Sequence, residues 1–420
     1  MIAEILPSTF SGSVIAPASK SASHRTLICA ALSDKPCKIY NLGDSDDIKA
    51  TLSVLEAFGC EYEKTDDALI LSPCKRNIEN VTVCCNESGS TARFLLPIAA
   101  ALGAHNVTLT GKGRLPERPF KTLTDALKQS SVDCSAENLP ITLTGKLKSG
   151  TYSLPGNISS QYISGLLLAL SITEGKSFIN ITSPLESKGY VDMTISELEA
   201  FGADIEKTEN GYIINGKPSL TATDRAVEGD WSQAAFFLCA GAIKGSITVK
   251  GLDLNSLQGD KAILDVLKSF GAKIEIVNDG ITVYESALKG INVDCAQIPD
   301  LVPIIDVTAA MAEGKTTIYN AERLRLKESD RLYETVLRLN KFGIEATVTE
   351  DGMEIIGQKP HSAYVTSAND HRIVMAFSVL ASFCQEKSQI EGANAINKSY
   401  PLFFRDFKKA GGNCNVISDR

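Results

Sequence analysis

Apolar positions with helical spacing alternate with short strand-like segments along the chain. In the stretch GDKAILDVLKSFGAKIEIV the apolar residues fall on one helical face, which predicts an amphipathic helix: Ile263, Val266, Leu267 and Phe270. Gly271 can adopt the left-handed conformation that ends a helix. The following KIEIV alternates as a half-buried strand does.

This helix-turn-strand segment recurs through the whole chain. Strong copies are LEAFGCEYE, LEAFGADIE, LKSFGAKIE and LNKFGIEAT, and weaker copies are LKQSSVDCS and FKKAGGNCN. The glycine, or a serine in its place, recurs at intervals of about 70 residues: Gly59, Ser131, Gly202, Gly271, Gly343 and Gly411. The chain is therefore predicted to contain six structural repeats.

Each repeat also contains a second, far more apolar helix. The six segments are RTLICAALS, TARFLLPIAAALG, YISGLLLALSI, WSQAAFFLCAGAI, LVPIIDVTAAMA and HRIVMAFSVLASF. A helix that is apolar nearly all round belongs inside a core. With the strands around it, each repeat reads strand–helix–strand–helix–strand–strand. Six repeats predict an α/β fold of two similar domains with three repeats each. A solenoid is the alternative, but the period is long for one and the repeats lack a shared surface.

Polar residues stand at the start of these apolar helices. The stretches are SKSASHR, NESGSTAR, NISSQY, EGDWSQ, IPDL and SANDHR. Hydroxyls there are often ordinary N-caps. Arg25, Arg93 and Arg372 are less ordinary, because the helix dipole disfavours a cation at a helix start. A bound phosphate or carboxylate would explain them, so we expect the helix N-termini to face one anion-binding cleft.

Further charged residues lie on two connectors. RLRLKESDRL, residues 323–332, reads as a strand end followed by the start of an amphipathic helix, and ERPF places Arg118 before another helix. A solvated face of mixed charge is the alternative interpretation of the first run. We interpret His24, His105 and His361 as surface residues, because none has a partner by spacing.

Composition excludes several classes of function. The 420 residues carry a net charge of −8 without a basic run, which is unsuited to nucleic acid or membrane surfaces. Eleven cysteines without a C-x-x-C pair indicate reduced thiols in a cytoplasmic protein rather than disulfides or zinc. No signal peptide, phosphate-binding P-loop or metal motif is recognised, so we expect no metal and no cofactor.

The motifs together resemble one family. SKSASHR, GSTAR, ERP, SSQY, ESKGYVD, IPD, RLKESDRL, NDHR and NKSYP occur in this order over essentially the whole chain. The chain is similar to the 5-enolpyruvylshikimate-3-phosphate synthase family of enolpyruvyl transferases. The resemblance implies two domains of three βαβαββ repeats, an inside-out α/β barrel in each, with the active site in the interdomain cleft. It also implies that residues 1–14 with 229–420 form one domain and 15–228 the other.

The resemblance implies the reaction and its partners. Shikimate 3-phosphate and phosphoenolpyruvate would give 5-enolpyruvylshikimate 3-phosphate and phosphate through a tetrahedral intermediate, without a cofactor. Glyphosate would be an inhibitor, and a cytoplasmic monomer is expected.

The resemblance also implies site residues. The catalytic set would be Lys20, Asp300 and Glu328. Shikimate 3-phosphate would be bound by Lys20, Ser21, Arg25, Ser159, Ser160, Gln161, Ser187, Tyr190, Asp300 and Lys327. Phosphoenolpyruvate would be bound by Lys20, Gly89, Arg93, Arg118, Gln161, Arg331, Arg372 and Lys398. Asp300 would hold the attacking hydroxyl, and Glu328 would donate the proton to C3 of the enol.

Three features qualify the resemblance. Glu87 stands where the family often has Asn, Ser90 where Thr is usual and Arg323 where Asn is common, which bears on affinity and inhibitor response.

UDP-N-acetylglucosamine enolpyruvyl transferase is one alternative, but it typically has Lys-Asn where this chain has Lys20-Ser21, and a cysteine that the loop GKGRLPERP lacks. A non-catalytic anion-binding repeat protein is the other, although it would need neither Asp300 nor Glu328.

Overall fold

The computed structural model, which describes residues 1–418, contains the same sequence of elements six times. Each repeat is strand, helix, strand, helix and two more strands, and the chain's first strand completes the last repeat. The helices are α1 (Lys20–Ala31), α2 (Asp46–Ala57), α3 (Gly89–Leu102), α4 (Lys121–Lys128), α5 (Ser160–Ser171), α6 (Lys188–Ala200), α7 (Trp231–Ile243), α8 (Ile263–Phe270), α9 (Val302–Ala310), α10 (Arg331–Lys341), α11 (His371–Ala381) and α12 (Phe403–Lys409). The predicted α/β fold class of six βαβαββ repeats is confirmed.

The strands form six four-stranded sheets, one for each repeat. In chain order the strands are β1 (Ile2–Leu6), β2 (Phe10–Ile15), β3 (Cys37–Tyr40), β4 (Tyr62–Lys64), β5 (Ala68–Leu71), β6 (Thr82–Cys84), β7 (Ala104–Thr110), β8 (Asp133–Cys134), β9 (Ile141–Gly145), β10 (Thr151–Leu154), β11 (Gly175–Ile181), β12 (Asp204–Thr208), β13 (Gly211–Gly216), β14 (Arg225–Ala226), β15 (Gly245–Lys250), β16 (Lys273–Val277), β17 (Gly280–Tyr284), β18 (Asn292–Asp294), β19 (Lys315–Tyr319), β20 (Glu345–Val348), β21 (Met353–Ile356), β22 (Tyr364–Thr366), β23 (Ser388–Glu391) and β24 (Asn413–Ile417). The sheet orders are β14-β3-β5-β4, β6-β7-β9-β8, β10-β11-β13-β12, β2-β15-β17-β16, β18-β19-β21-β20 and β22-β23-β1-β24.

The chain divides into two compact units. The central unit is Lys20–Glu228, and the terminal unit is Met1–Ser19 together with the chain from Gly229 onward. Strand pairing explains the division, because β2 precedes α1 but pairs parallel with β15 of the terminal unit. Similarly, β14 precedes α7 but pairs with β3 of the central unit. The boundaries of the compact units therefore fall after Ser19 and after Glu228.

Three helices form the core of each unit. These are α1, α3 and α5 in the central unit and α7, α9 and α11 in the terminal unit, and nearly all their residues are buried. Burial of both helix faces follows from the apolar sequences, which leave no polar stripe for water. None of the described helices is long and apolar enough to cross a membrane.

The recurring glycine position has the same conformation in all six repeats. Its φ angle is positive each time: Gly59 87°, Ser131 60°, Gly202 76°, Gly271 96°, Gly343 79° and Gly411 93°. The left-handed conformation ends the preceding helix and redirects the chain into a strand. The sequence periodicity therefore reports a backbone requirement of every repeat.

Two local expectations are wrong. KIEIV does form a strand, β16, but it is the edge strand of its sheet and Ile276 is 58% exposed instead of half-buried. The segment Glu322–Leu326, read as a strand end, is a 3₁₀ helix. Alternation of apolar and charged residues does not separate an edge strand from a half-buried strand, or a short helix from a strand end. Each of these elements can expose its charged residues.

The core of the terminal unit contains a buried carboxyl group. Asp306 on α9 is fully buried, and its two oxygens have no hydrogen-bond partner among the described residues. Burial raises the pKa of Asp306 well above its ordinary value. We expect Asp306→Ala to raise the free energy of unfolding at neutral pH by about 1–3 kcal/mol, because an unsatisfied buried polar group is removed. Chemical denaturation measures the change.

The pH dependence provides the control for Asp306. The folded protein keeps a proton that the unfolded chain releases above a pKa of about 3.9, so this residue makes stability fall as pH rises through that interval. Asp306→Asn keeps the shape and cannot titrate, and we expect it to remove this part of the pH slope. An Ala variant that is less stable at every pH would contradict the prediction.

Candidate active site

The central unit holds Lys20 at the start of its first core helix. The ammonium Nζ of Lys20 lies 2.8 Å from Oδ2 of Asp47, and both side chains are largely buried. Asp47 lies in the first turn of α2, whose N-cap Ser45 accepts a hydrogen bond from the backbone of Ile48. The backbone oxygen of Asp47 in turn accepts a bond from Thr91 Oγ1 at the start of α3. Lys20 is therefore held by a fixed carboxylate beside two helix N-termini.

A buried polar network supports these helix starts. His24 Nδ1 lies 2.8 Å from Thr51 Oγ1, which lies 2.7 Å from Thr91 Oγ1, and Thr91 Oγ1 lies 2.7 Å from Ser88 Oγ. The expectation that His24 is a surface residue is wrong, since it is fully buried. Burial, then the charges of Lys20 and Arg25, lower the pKa of His24 well below its ordinary value. A neutral imidazole thus joins α1, α2 and α3.

Arg93 lies in the second turn of α3 and is oriented by its neighbours. Its Nη1 donates to Gln161 Oε1 at 2.8 Å, and Gln161 Nε2 donates to Ser90 Oγ at 2.9 Å. The guanidinium also lies over the rings of Phe120 and Tyr162, at 5.2 and 5.5 Å from their centroids. Cation–π contacts and a hydrogen bond together restrict a long side chain. The charge of Arg93 is therefore directed near the N-terminal end of α3.

Arg118 reaches the same helix end from a connector. It follows the 3₁₀ turn Leu115–Glu117 and is 8% exposed. A Cβ atom placed on Gly89 would lie 2.9 Å from Arg118 Nη1, so the guanidinium packs directly on the first residue of α3. Two arginines beside a helix N-terminus combine full positive charges with free N–H groups, which is the arrangement that binds an anion.

Arg25 is engaged with its own unit. Its Nε donates to Thr194 Oγ1, its Nη1 to the backbone oxygen of Ser21 and its Nη2 to that of Tyr190, each at 2.7 Å. The guanidinium also lies 5.2 Å from the ring centroid of Phe94. Burial lowers the pKa of Arg25 to about 10. Arg25 thus joins the helix that begins at Lys20 to α6, and brings Ser21 and Tyr190 together.

The predicted serines lie at the starts of α5 and α6. Ser159 is the N-cap of α5 and accepts a bond from the backbone of Gln161. Ser187 precedes α6 in the left-handed conformation, with φ 52°. The backbone of Glu186 donates to the oxygen of Gly156, which joins the two connectors. The structure therefore brings Ser159, Ser160 and Ser187 to neighbouring helix starts.

In the terminal unit, Arg331 contacts three carboxylates. Its Nε lies 2.8 Å from Asp370, its Nη1 3.1 Å from Asp300 and its Nη2 2.8 Å from Glu328. The guanidinium is only 1% exposed. Burial would lower the pKa of Arg331, but the charges of Asp370, Glu328 and Asp300 outweigh burial and raise it. Arg331 is therefore permanently charged and fixed at the first residue of α10.

Asp300 accepts hydrogen bonds from three basic side chains of the terminal unit. Its carboxylate accepts from Lys327 Nζ at 3.2 Å, from Arg331 and from Arg372 Nη2 at 3.1 Å, and its backbone oxygen accepts from Arg372 Nη1. Burial, only partly offset by Asp300, lowers the pKa of Lys327. Lys398 Nζ donates to the backbone oxygen of Asn369, just before α11. Residues that are far apart in sequence thus form one cluster.

The terminal unit also contains two acidic residues that the sequence analysis missed. Asp370 is fully buried, caps α11 by accepting from the backbone of Arg372, and accepts from Ser329 as well as Arg331. Burial opposes ionisation of Asp370, but Arg331 and His371 lower its pKa overall. Asp260 is also buried, and burial together with the charge of Asp300 raises its pKa to about 6. The N-cap position of Asp370 in the motif NDHR could have indicated its role from the sequence. No motif in the sequence pointed to Asp260.

The predicted residues therefore form two sets, one in each unit. The central set joins Lys20, Arg93 and Arg118 to the N-terminal ends of α1 and α3, which suits phosphate or carboxylate groups. The terminal set places two carboxylates, Asp300 and Glu328, against fixed cations, which suits proton transfer beside an anionic substrate. The prediction that both sets face one cleft stays a prediction.

Comparison with known proteins supplies the family. The family model described as EPSP synthase (3-phosphoshikimate 1-carboxyvinyltransferase) matches residues 6–407. A Clostridium acetobutylicum protein named 3-phosphoshikimate 1-carboxyvinyltransferase is 45% identical over 424 residues, covering 99% of this chain and 98% of that protein. A Clostridium kluyveri protein of the same name is 44% identical, covering 99% and 98% of the two chains.

Solved structures agree with the family match. EPSP synthase from Acinetobacter baumannii has a TM-score of 0.82 at 26% identity, covering 99% of this chain and all of that chain. The enolpyruvyl transferase NikO from Streptomyces tendae has a TM-score of 0.80 at 18% identity, covering 99% and 98%, and shows the shared fold alone. With a family model spanning nearly all its residues and relatives this similar, the chain belongs to the EPSP synthase family.

Proposed function

We propose that this chain transfers the enolpyruvyl group of phosphoenolpyruvate to the 5-hydroxyl of shikimate 3-phosphate and releases phosphate. The observation that carries the proposal is the cluster in which Asp300 and Glu328 share Arg331, with Lys327 and Arg372 beside them. A protein that only bound anions would not need two carboxylates among these cations. Family membership points to the same reaction.

The proposed chemistry has an addition and an elimination. The substrate hydroxyl loses its proton as its oxygen bonds to C2 of phosphoenolpyruvate, while C3 takes a proton, which gives a tetrahedral intermediate. C3 then returns a proton as the bond from C2 to the phosphate oxygen breaks. General acid–base groups lower such barriers by about 10²–10⁴-fold in rate. Neither step is a net oxidation or reduction, so no redox cofactor is required.

We assign the proton transfers to Asp300, Glu328 and Lys20. Asp300 would orient and deprotonate the 5-hydroxyl, since Lys327, Arg331 and Arg372 hold its carboxylate in one orientation. Glu328 would donate to C3 from its protonated form, with its Oε2 held 2.8 Å from Arg331. Lys20, paired with Asp47, would serve as an acid–base group on the phosphate side.

The remaining residues would bind the two anionic substrates. Shikimate 3-phosphate is assigned to Ser21, Arg25, Ser159, Ser160, Gln161, Ser187, Tyr190 and Lys327, with its 3-phosphate at Ser159 and Ser187. Phosphoenolpyruvate is assigned to Gly89, Arg93, Arg118, Gln161, Arg331, Arg372 and Lys398. Because Arg25 already donates from all three nitrogens within the central unit, its role is to position Ser21 and Tyr190 as well as to supply charge.

A phosphate-release assay tests the proposed function. We expect phosphate from phosphoenolpyruvate when shikimate 3-phosphate is present, and none with either substrate alone. Release with UDP-N-acetylglucosamine in place of shikimate 3-phosphate would support the sister activity instead. Binding of both anions without release would support a non-catalytic protein. We also propose a monomer acting in the cytoplasm, which the cysteine content supports because its thiols suit a reducing compartment.

We expect Arg118→Ala to lower kcat/KM for phosphoenolpyruvate about 10- to 150-fold. The reason is the loss of a charged hydrogen bond, worth about 1.5–3 kcal/mol. Arg114→Ala is the matched control, since Arg114 lies in the same loop but is 45% exposed and pairs with Glu117. Steady-state kinetics measure both variants. A folded Arg118→Ala enzyme with unchanged phosphoenolpyruvate kinetics would remove Arg118 from the site.

Glyphosate is expected to inhibit in competition with phosphoenolpyruvate and to bind well only when shikimate 3-phosphate is present. Gly89 has no side chain to intrude on the small anion, whereas Glu87 adds a negative charge two residues away in sequence. The carboxyl of Glu87 packs against Gly113, where an added Cβ would lie 2.6 Å from it. Calorimetry with and without shikimate 3-phosphate measures the coupling. Equal glyphosate affinity in both conditions would contradict the expectation.

A further inference from the structure

The first repeat of the central unit contains two thiols in direct contact. Cys60 Sγ and Cys74 Sγ lie 2.9 Å apart, compared with about 2.05 Å in a disulfide bond. Cys60 follows the end of α2, and Cys74 follows β5. Neither residue belongs to the substrate sites proposed above. Among residues 1–418, no other two thiols lie within hydrogen-bond distance of each other.

The backbone holds this pair together on both sides. The Ser72 amide donates to the Glu61 oxygen at 2.8 Å, and the Lys75 amide donates to the Phe58 oxygen at 2.9 Å. These bonds flank the cysteines, so the segments carrying them run side by side in opposite directions. The Cys60 amide also donates to Leu55 within the turn that ends α2. Closeness of the sulfurs therefore follows from the backbone arrangement rather than from side-chain rotation alone.

We propose that Cys60 and Cys74 form an intramolecular disulfide when the enzyme meets a small-molecule disulfide, making this pair a reversible modification site. Cys74 is partly exposed, whereas Cys60 is 4% exposed, so the reagent reaches Cys74 first. The deprotonated sulfur of Cys74 attacks the reagent and expels one thiolate. Cys60 then gives up its proton, attacks Cys74 and expels the second thiolate. The two protein thiols are oxidised, and the reagent is reduced to two thiols.

The surroundings set the conditions for the first step. The contact with Cys60, followed by burial, raises the pKa of the Cys74 thiol well above its ordinary value. Since the thiolate is the attacking form, the rate of oxidation should increase with pH through the alkaline range. The same environment keeps Cys74 mainly protonated near neutral pH, so oxidation should be slow there.

Closing the bond should stabilise the unit without reaching the substrate residues. The new loop runs from Cys60 to Cys74 and encloses the hairpin of β4 and β5. A cross-link of this length restricts the unfolded chain, and we expect the melting temperature to rise by roughly 5–10 °C. Phosphate release should be unchanged, because Lys20 pairs with Asp47 in the first turn of α2, at the end of the helix away from Cys60.

Oxidised glutathione at alkaline pH, followed by tryptic mapping under non-reducing conditions, tests the proposal. Cleavage at Lys64 separates the two cysteines into peptides 50–64 and 65–75, which stay linked only through a disulfide. We expect this linked pair, its loss on reduction, and the higher melting temperature of the oxidised protein. Cys60→Ala should instead accumulate a glutathione adduct on Cys74.

Cys84 provides the internal control, because it is also partly exposed and its Sγ donates to Asn86 Oδ1 rather than to a thiol. Glutathione on Cys84 with peptides 50–64 and 65–75 unlinked would overturn the proposal, because the reagent was active. A stable adduct on Cys74 of the unmutated protein would overturn it equally, since Cys60 would have failed to complete the bond. Cys414→Ser, remote in sequence from the pair, should leave the linkage intact.

Discussion

Asp300→Ala is expected to lower kcat by about 10²–10⁴-fold, the contribution of a general base. Three cationic side chains hold this carboxylate in one orientation, which is the geometry that the proposed general base requires. Asp300→Asn keeps the shape and one acceptor oxygen. An equal loss of kcat in the Asn and Ala variants would therefore assign the effect to the charge of Asp300. Phosphate release under saturating substrates gives kcat.

Glu328→Gln should lower kcat over the same range while leaving the binding of shikimate 3-phosphate intact. Gln can still accept from Arg331 but cannot deliver a proton to C3. Glu334→Gln is a useful comparison on the adjacent helix, because Glu334 pairs with Arg338 outside the Asp300 cluster. Turnover close to normal in Asp300→Ala or Glu328→Gln would dismiss the role assigned to that residue.

Arg331→Met is expected to reduce the free energy of unfolding by about 3–5 kcal/mol in addition to abolishing activity. The substitution leaves Asp370 charged and fully buried without its guanidinium partner. Urea denaturation of the two proteins measures the loss. Arg338→Met on the same helix should cost less, because its carboxylate partner Glu334 is 25% exposed and can be hydrated.

The acid side of the stability curve separates this charge effect from simple loss of packing. The pKa of Asp370 is lowered in the folded protein, so its pairing stabilises the fold above the unfolded pKa and is lost as pH falls through the folded pKa. In Arg331→Met, buried Asp370 should protonate readily, and the stability deficit should narrow at acid pH. The double variant Arg331→Met/Asp370→Asn should recover part of the loss at neutral pH. If the stability loss of Arg331→Met were the same at every pH, and were not reduced in the double variant, the unpaired charge of Asp370 would not be its cause.

Many residues of the candidate site were accessible from short motifs. The motif containing RLKESDRL supplied Lys327, Glu328 and Arg331, and the structure brings all three to Asp300 or to its immediate partners. Asp370 and Asp260 were missed because their importance lies in burial next to charges from other repeats. His24 was misplaced for the same reason, since its partner Thr51 is on another helix. Spacing within one segment carries no information about such neighbours.

The sequence by itself determined the six repeats, the apolar core helices and the left-handed helix ends. Those features depend on the local spacing of apolar residues and on the backbone freedom of one residue in each repeat. Both can be read from a short segment of sequence without knowing its neighbours in the fold. Only the tertiary structure decided that β2 pairs with β15 and β14 with β3, that KIEIV is an edge strand, and that Cys60 contacts Cys74. Strand partners, exposure and side-chain contacts depend on which distant segments pack together, because any apolar strand or buried charge is compatible with several partners until the fold selects one.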